Sequence, residues 1–179
     1  TAGAIEAEVT DVDAGVLDDA TVVETTDGHP LISIAEYKQI VDGDTALDLN
    51  LYSIDVAAEN LHGLSIEDAI IYSGAENYLA PQSGGPGFSI EDDAPSLHVA
   101  QVNGDHARLA LFDAVSVVAT GGVVSIAEAK TIAEIAGFSD VSSAFDVTDL
   151  ALDVLADAGE VGGGIIAAGF VNQVKAADA

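Results

Sequence analysis

Ser33-Ile34-Ala35-Glu36-Tyr37-Lys38-Gln39-Ile40 and Ser125-Ile126-Ala127-Glu128-Ala129-Lys130-Thr131-Ile132 are one stretch written twice, and their reading decides the fold. Each opens on Ser and carries Glu three residues later. At that spacing the hydroxyl accepts from the third helical N–H and the carboxylate accepts from the N–H of the Ser. Ile32 and Val124 precede the caps, placed to staple onto Tyr37 and Ala129. Both stretches therefore predict helix starts. The second helix is expected over roughly 126–136, stopped by Gly137 in the left-handed conformation, and Gly43 has the same expected part after the shorter first copy.

Outward from this pair, further blocks match in the same order. Val16–Thr25 aligns with Leu111–Thr120, Ala46–Leu49 with Ala144–Val147, Ile54–Ala58 with Leu152–Ala156, and Ile70–Asn77 with Ile165–Asn172. The offset stays between 92 and 98 residues, so few gaps are needed. A tandem duplication follows: a first lobe over 1–79, a Gly/Pro linker over 80–95 containing Ala80-Pro81-Gln82-Ser83-Gly84-Gly85-Pro86-Gly87, and a second lobe over 96–179. Asp18, Asp48 and Asp55 recur as Asp113, Asp146 and Asp153, which marks these acids as part of the scaffold pattern.

Period-two alternation predicts strands between the helices. Ile5, Ala7 and Val9 alternate with acids, and Leu47, Leu49 and Leu51 alternate with Asp48 and Asn50. Phe145 and Val147 and then Leu150, Leu152 and Val154 alternate with a one-residue slip, which suggests a bulge. A hairpin is expected from Ser96 to Phe112 around Asn103-Gly104, with Leu97, Val99, Ala107, Leu109 and Leu111 on its apolar face. Ser65-Ile66-Glu67-Asp68 and Ser89-Ile90-Glu91-Asp92 echo the cap pattern, Pro95 limiting the latter to a turn. The expected class is α+β and β-rich, two related lobes with short capped helices; the alternative is a β-sandwich or jelly roll with inserted helices.

Charge sets the solvent. Thirty-one Asp and Glu against four Lys and Arg give −27 over 179 residues, yet 49% of the chain is hydrophobic. Disorder requires low hydrophobicity as well as high charge, so the chain folds. Such a body repels itself in dilute buffer, and the screening length falls to about 3 Å at 1 M salt. The composition therefore points to a halophilic system. Lys38, Arg108, Lys130 and Lys175 are scattered, which excludes nucleic acid and anionic membranes as partners. No apolar run approaches the roughly 18 residues of a membrane span, and no signal peptide is recognisable. With no Cys there is no disulfide framework. Thr1 and the absence of Met fit either removal of an initiator Met or a processed precursor.

The catalytic inventory is empty. Asp42-Gly43-Asp44 with Asp48, and Asp11-Val12-Asp13 with Asp18 and Asp19, lack the ligand ladder of a calcium loop. Glu91-Asp92-Asp93 reads as a solvated face, and His29 and His62 stand alone near turns. Gly84-Gly85-Pro86-Gly87 and Gly162-Gly163-Gly164 lack the Lys of a phosphate loop, and there is no nucleophile elbow. No catalytic, cofactor-binding or metal residue is expected. In the hairpin register His98 lies opposite Arg108 with His106 diagonal, so these three residues are the weak interface candidates.

The expected function is structural: a self-assembling, non-enzymatic protein of a halophilic system, in the favoured form a virion coat or capsid component of a haloarchaeal virus. No cofactor is expected beyond weak binding of monovalent or divalent cations by surface carboxylates. The expected partners are copies of itself and other coat subunits. The expected location is the virion, made in a halophilic host's cytoplasm, or alternatively the haloarchaeal cytoplasm or cell surface. The alternative function is a halophilic enzyme or small-ligand-binding protein with a site between the lobes.

Overall fold

Short helices, three of them started by a capping Ser, are interspersed with short strands, and every described strand pair is parallel. A computed structural model of the chain describes residues 22–23, 31–41, 46–47, 52–57, 59–103, 105–160, 162 and 164–177. The mixed helix-and-strand class expected from sequence holds. Parallel neighbours cannot be joined by a tight turn and need a crossover, and helices supply it between β5 and β6, β7 and β8, and β8 and β9.

The chain divides into two units, Thr1–Asn60 with Ile70–Gly85, and Leu61–Ala69 with Pro86–Ala179. In the first unit, β1 (Val22–Val23) pairs with β3 (Ala46–Leu47), and β2 (Leu31–Ile32) pairs with β4 (Ser53–Ile54). Helix α1 (Ile34–Val41) starts at Ser33, whose hydroxyl accepts from the Glu36 N–H at 3.1 Å, while Glu36 accepts from the Ser33 N–H. Beyond β4 a side chain takes the place of a strand. Asn77 accepts from the Ile54 N–H at 3.0 Å and donates to its carbonyl at 2.9 Å. The core holds Tyr37 against Tyr52, ring centroids 4.5 Å apart, and the Tyr52 hydroxyl donates to the Ile71 carbonyl at 2.8 Å. Burial pushes both phenols above their ordinary pKa, so they stay neutral.

Helix α2 (Ile66–Gly74) begins in the second unit, capped by Ser65, whose hydroxyl accepts from the Asp68 N–H at 3.1 Å. There β5 (Ser89–Asp92) pairs with β6 (Ser116–Ala119), and single bridges extend the ladder to Leu64 before it and Phe138 after it. A second ladder runs through β7 (Val123–Val124), β8 (Phe145–Leu150) and β9 (Val171–Ala177), aligning Val124, Val147 and Val174. Helices α3 (Ala94–Asn103) and α4 (Asp105–Asp113) join β5 to β6. Helix α5 (Ile126–Ala133) joins β7 to β8, and α6 (Ala151–Ala158) with the tight turn Ile165–Ala167 joins β8 to β9. Phe88, Ile90, Leu97, Leu111, Val117, Ile132, Phe145 and Val147 fill this unit's core. Each side chain so buried contributes about 2 kcal/mol.

One device recurs at three helix starts. The N–H of the first helical residue donates to an acid much further on: Ile34 to Glu59, Ile66 to Asp92 and Ile126 to Asp149, separations of 25, 26 and 23 residues. A carboxylate is favoured there because the helix N-terminus presents unpaired N–H groups and the positive end of the dipole.

Several expectations fail in instructive ways. The Ser96–Phe112 segment is the helix pair α3 and α4, not a hairpin. Its alternating apolar residues also satisfy helical spacing, for Leu97 and Ala100 are buried together and Ala110 and Leu111 likewise, while Val99 and Leu109 face solvent. Ser89–Asp92 is strand, and Asp93 rather than Ser89 caps a helix, accepting from the Ser96 N–H at 2.7 Å. Pro95 sits in the first turn of α3, where the N–H it lacks has no intrahelical acceptor, so it starts the helix instead of ending it. The alternation through Leu150, Leu152 and Val154 is not a strand beyond Leu150, because Ala151 begins α6. The register irregularity lies between Phe145 and Asp146. Gly137 does take a positive φ of 76° after α5, which ends at Ala133, earlier than expected. The Ile5 strand, Gly43, Leu49 and Leu51, the acidic runs at 11–19 and 42–48, His29 and Gly104 lie outside the described residues.

Candidate functional site

Among the described residues, a polar arrangement with a buried acid centres on Lys130, in the last turn of α5. Its Nζ lies 2.8 Å from Asp157 Oδ1 and 2.7 Å from Glu160 Oε1. The Asp157 side chain is 2% exposed, and its Oδ2 accepts from the Ile166 N–H at 3.0 Å. Burial pushes the Asp157 carboxyl up, but the Lys130 hydrogen bond and the Ile166 N–H outweigh it and hold it below the usual carboxylate range. Donation to the Asp157 carboxylate and then to Glu160 holds the Lys130 ammonium above its ordinary value. Gly164 passes so close that a Cβ would fall on the Asp157 carboxylate and carbonyl, at a φ of 62°. Only glycine fits that approach.

Asp149, Asp153 and Ile126 join these residues in lining a hollow of about 260 Å³ beside this lysine. Its polar lining is one ammonium and four carboxylates, Lys130 with Asp149, Asp153, Asp157 and Glu160. What the arrangement does is mechanical: one cation pins the end of α6 and the loop after it to α5. Among the described residues no group of three or more His, Cys, Asp or Glu is arranged to hold a metal ion, and no helix is long and apolar enough to cross a membrane.

The three interface candidates are not gathered as the hairpin register implied. His98 is on α3, with Nδ1 3.7 Å from Oε1 of Glu128 on α5. Backbone and side-chain hydrogen bonds from Ser125 depress the Glu128 carboxyl, so this acid is charged beside the imidazole. His106 and Arg108 are exposed on α4. Among the described residues Arg108, the chain's single arginine, makes no ion pair.

Sequence reasoning missed the outward apolar faces. On α4, Leu109 and Phe112 are 60% and 68% exposed; on α6, Leu152 and Leu155 are 79% and 70% exposed. Both pairs have i, i+3 spacing and so share one helix face. Reading these segments as strands assigned Leu109 and Leu152 to buried faces; a helical period would have shown more apolar residues than one buried stripe uses. Of the acids matched between the copies, Asp55 accepts from the Ala57 N–H at 3.1 Å and Asp153 is exposed, while Asp18 and Asp48 lie outside the described residues. Asp92, Asp149 and Asp157, which have no counterpart in the matched blocks, also hold backbone N–H groups.

The chain matches no family model, no curated protein and no solved structure.

Proposed function

We propose that this chain is a structural, self-assembling protein of a high-salt system, in its favoured form a coat or capsid component of a haloarchaeal virion. The observation that carries the reading is the large apolar side chains on the outer faces of α4 and α6 in a chain of net charge −27. Contiguous apolar surface left open by a folded chain marks a contact for another macromolecule. Carboxylates elsewhere keep copies apart until salt screens them, so assembly is coupled to ionic strength. Such a role needs no cofactor beyond cations held loosely among the carboxylates. Its partners are further copies and other coat subunits.

A tandem duplication is part of this reading, since two related lobes give each subunit two quasi-equivalent edges. Its support is the shared cap geometry at Ser33 and Ser125, though Ser65 caps α2 in the same manner. A jelly roll is built from antiparallel strands, and the described pairs are parallel.

Light scattering after size-exclusion chromatography tests the function. In molar KCl the protein is expected as a large, concentration-dependent species that dissociates in dilute buffer. A monomer at every concentration in molar salt overturns the reading.

A further inference from the structure

We propose that two copies join edge to edge through β9, antiparallel about a two-fold axis at Val174, an inference that rests on the self-assembly reading above. Strand β9 is the longest described strand and lies at the end of its ladder. One edge pairs with β8; among the described residues the other edge has no partner. Five of its seven residues are exposed. The aligned valines show on which side cover is missing: Val124 and Val147 are 3% and 0% exposed, and Val174 is 40% exposed. An open row of backbone N–H and C=O groups is completed by another strand, so the edge itself specifies the kind of surface it takes.

Charge selects a second β9 as that strand. Strand β5 carries Glu91 and Asp92, and β8 carries Asp146 and Asp149. Strand β9 carries none of the chain's thirty-one acids and one lysine, Lys175. In a chain of net charge −27, this edge lets two copies meet without opposing carboxylates. Lysine on an edge discourages indiscriminate pairing, and here it sets the direction. Parallel and in register, Lys175 would meet Lys175, and like charges directly opposite destabilise a sheet. Antiparallel about Val174, the central residue of the strand, Lys175 lies beside Gln173, Asn172 beside Ala176 and Val171 beside Ala177. Val174 then meets Val174, and the row from Val124 through Val147 runs on into its counterpart in the second copy. Such a contact uses the same surface on both subunits and closes a dimer. The apolar faces of α4 and α6 stay free to link dimers into the larger species.

The chain has no cysteine, so introduced cysteines report the pairing without background. Directly opposed residues of antiparallel strands have Cα atoms about 4.5 or 5.5 Å apart, within the span of a disulfide. In molar KCl under mild oxidation, Val174→Cys is expected to shift to twice the subunit mass on a non-reducing gel and to return on reduction. An equal mixture of Gln173→Cys and Lys175→Cys is expected to give the same shift, and neither alone to give it. Val141→Cys, at a residue 91% exposed between α5 and β8, measures random collision. Circular dichroism melts of the reduced variants that match wild type show that each is folded. The pairing is overturned when wild type assembles by light scattering while Val174→Cys and the mixture cross-link no more than Val141→Cys. It is overturned equally when Lys175→Cys alone cross-links as fully as the mixture, the result of parallel pairing. A wild type that remains monomeric in molar KCl overturns the self-assembly reading itself, and the pairing with it.

Discussion

Helices α5 and α6 are both eight residues long, both rich in Ala with β-strand neighbours, and they are turned inside out relative to one another. Helix α5 buries Ile126, Ala129 and Ile132 and shows Glu128 and Lys130 to the solvent side. Helix α6 buries a carboxylate, Asp157, and exposes Leu152 and Leu155. The first arrangement is what a helix does when the chain supplies its whole environment. The second leaves apolar surface open to solvent, as surfaces that contact other macromolecules do. The capping follows the same division: α5 has a reciprocal Ser125–Glu128 box, whereas Leu150 before α6 offers no side-chain cap. The contrast places α5 in the chain's own core and leaves α6 as one of the two faces on which the proposed self-association rests.

The contrast breaks most sharply at the cores of the two helices. Ile132→Ala removes a fully buried side chain of α5 and is expected to cost about 3 kcal/mol, the transfer energy plus the cavity left behind. Denaturant unfolding measures it. A loss under 1 kcal/mol would show that α5 is not packed as described.

Asp157→Ala attacks the pin between the helices and has the next largest expected effect, about 2 kcal/mol. The figure falls below that for a deeply buried pair because Lys130 is 41% exposed and Glu160 remains to neutralise it. What is lost is chiefly the acceptor for the Ile166 N–H. The pH dependence carries a definite sign. The folded carboxyl titrates below its ordinary value of 3.8, so its contribution is full above that value and disappears as pH falls through the lowered folded value. Lys130 titrates above 10.5, so its contribution is full below that pH and disappears as pH rises through the raised folded value. The stability gap between wild type and variant is therefore expected to be flat across neutral pH and to close in acid and in strong base. A gap that widens in acid would contradict the ion pair.

This pin also shows what could be read from the residues beforehand. Ser33, Ser65 and Ser125 were legible as caps because capping is local: the two reciprocating groups lie three residues apart. The positive φ of Gly137 was legible too, but not the helix stop, which falls at Ala133 with Glu134 right-handed. The partners of Ile34, Ile66 and Ile126 were not, because Glu59, Asp92 and Asp149 lie 25, 26 and 23 residues away among thirty-one acids. Asp157 was hidden by the same crowd. The largest misreading, strands at 96–112 and 150–154, arose where both periods fit. Ala, Leu and Val at alternating and at i, i+3 positions satisfy either pattern over a few residues, and Ala and Leu favour the helix. The parallel pairing could not be seen, since the ladder joins residues separated by whole helices.

The smallest expected effect on folding is the most telling about function. Leu155 is 70% exposed on α6, so Leu155→Ser removes little buried area and is expected to change the stability of the isolated subunit by less than about 0.5 kcal/mol. Exposure alone would make such a leucine unremarkable, because single apolar residues are common on folded surfaces. Its place one helical turn from Leu152, over a buried and pinned Asp157, is different: the helix is held with its apolar side outward instead of turned to bury it. The variant is therefore expected to melt like wild type in dilute buffer, where copies are apart, and to lose the salt-dependent rise in melting temperature that assembly confers. Thermal scans at two protein concentrations in molar KCl measure this. A loss above 1 kcal/mol in the dissociated subunit would place Leu155 in the protein's own core and erase the contrast with α5.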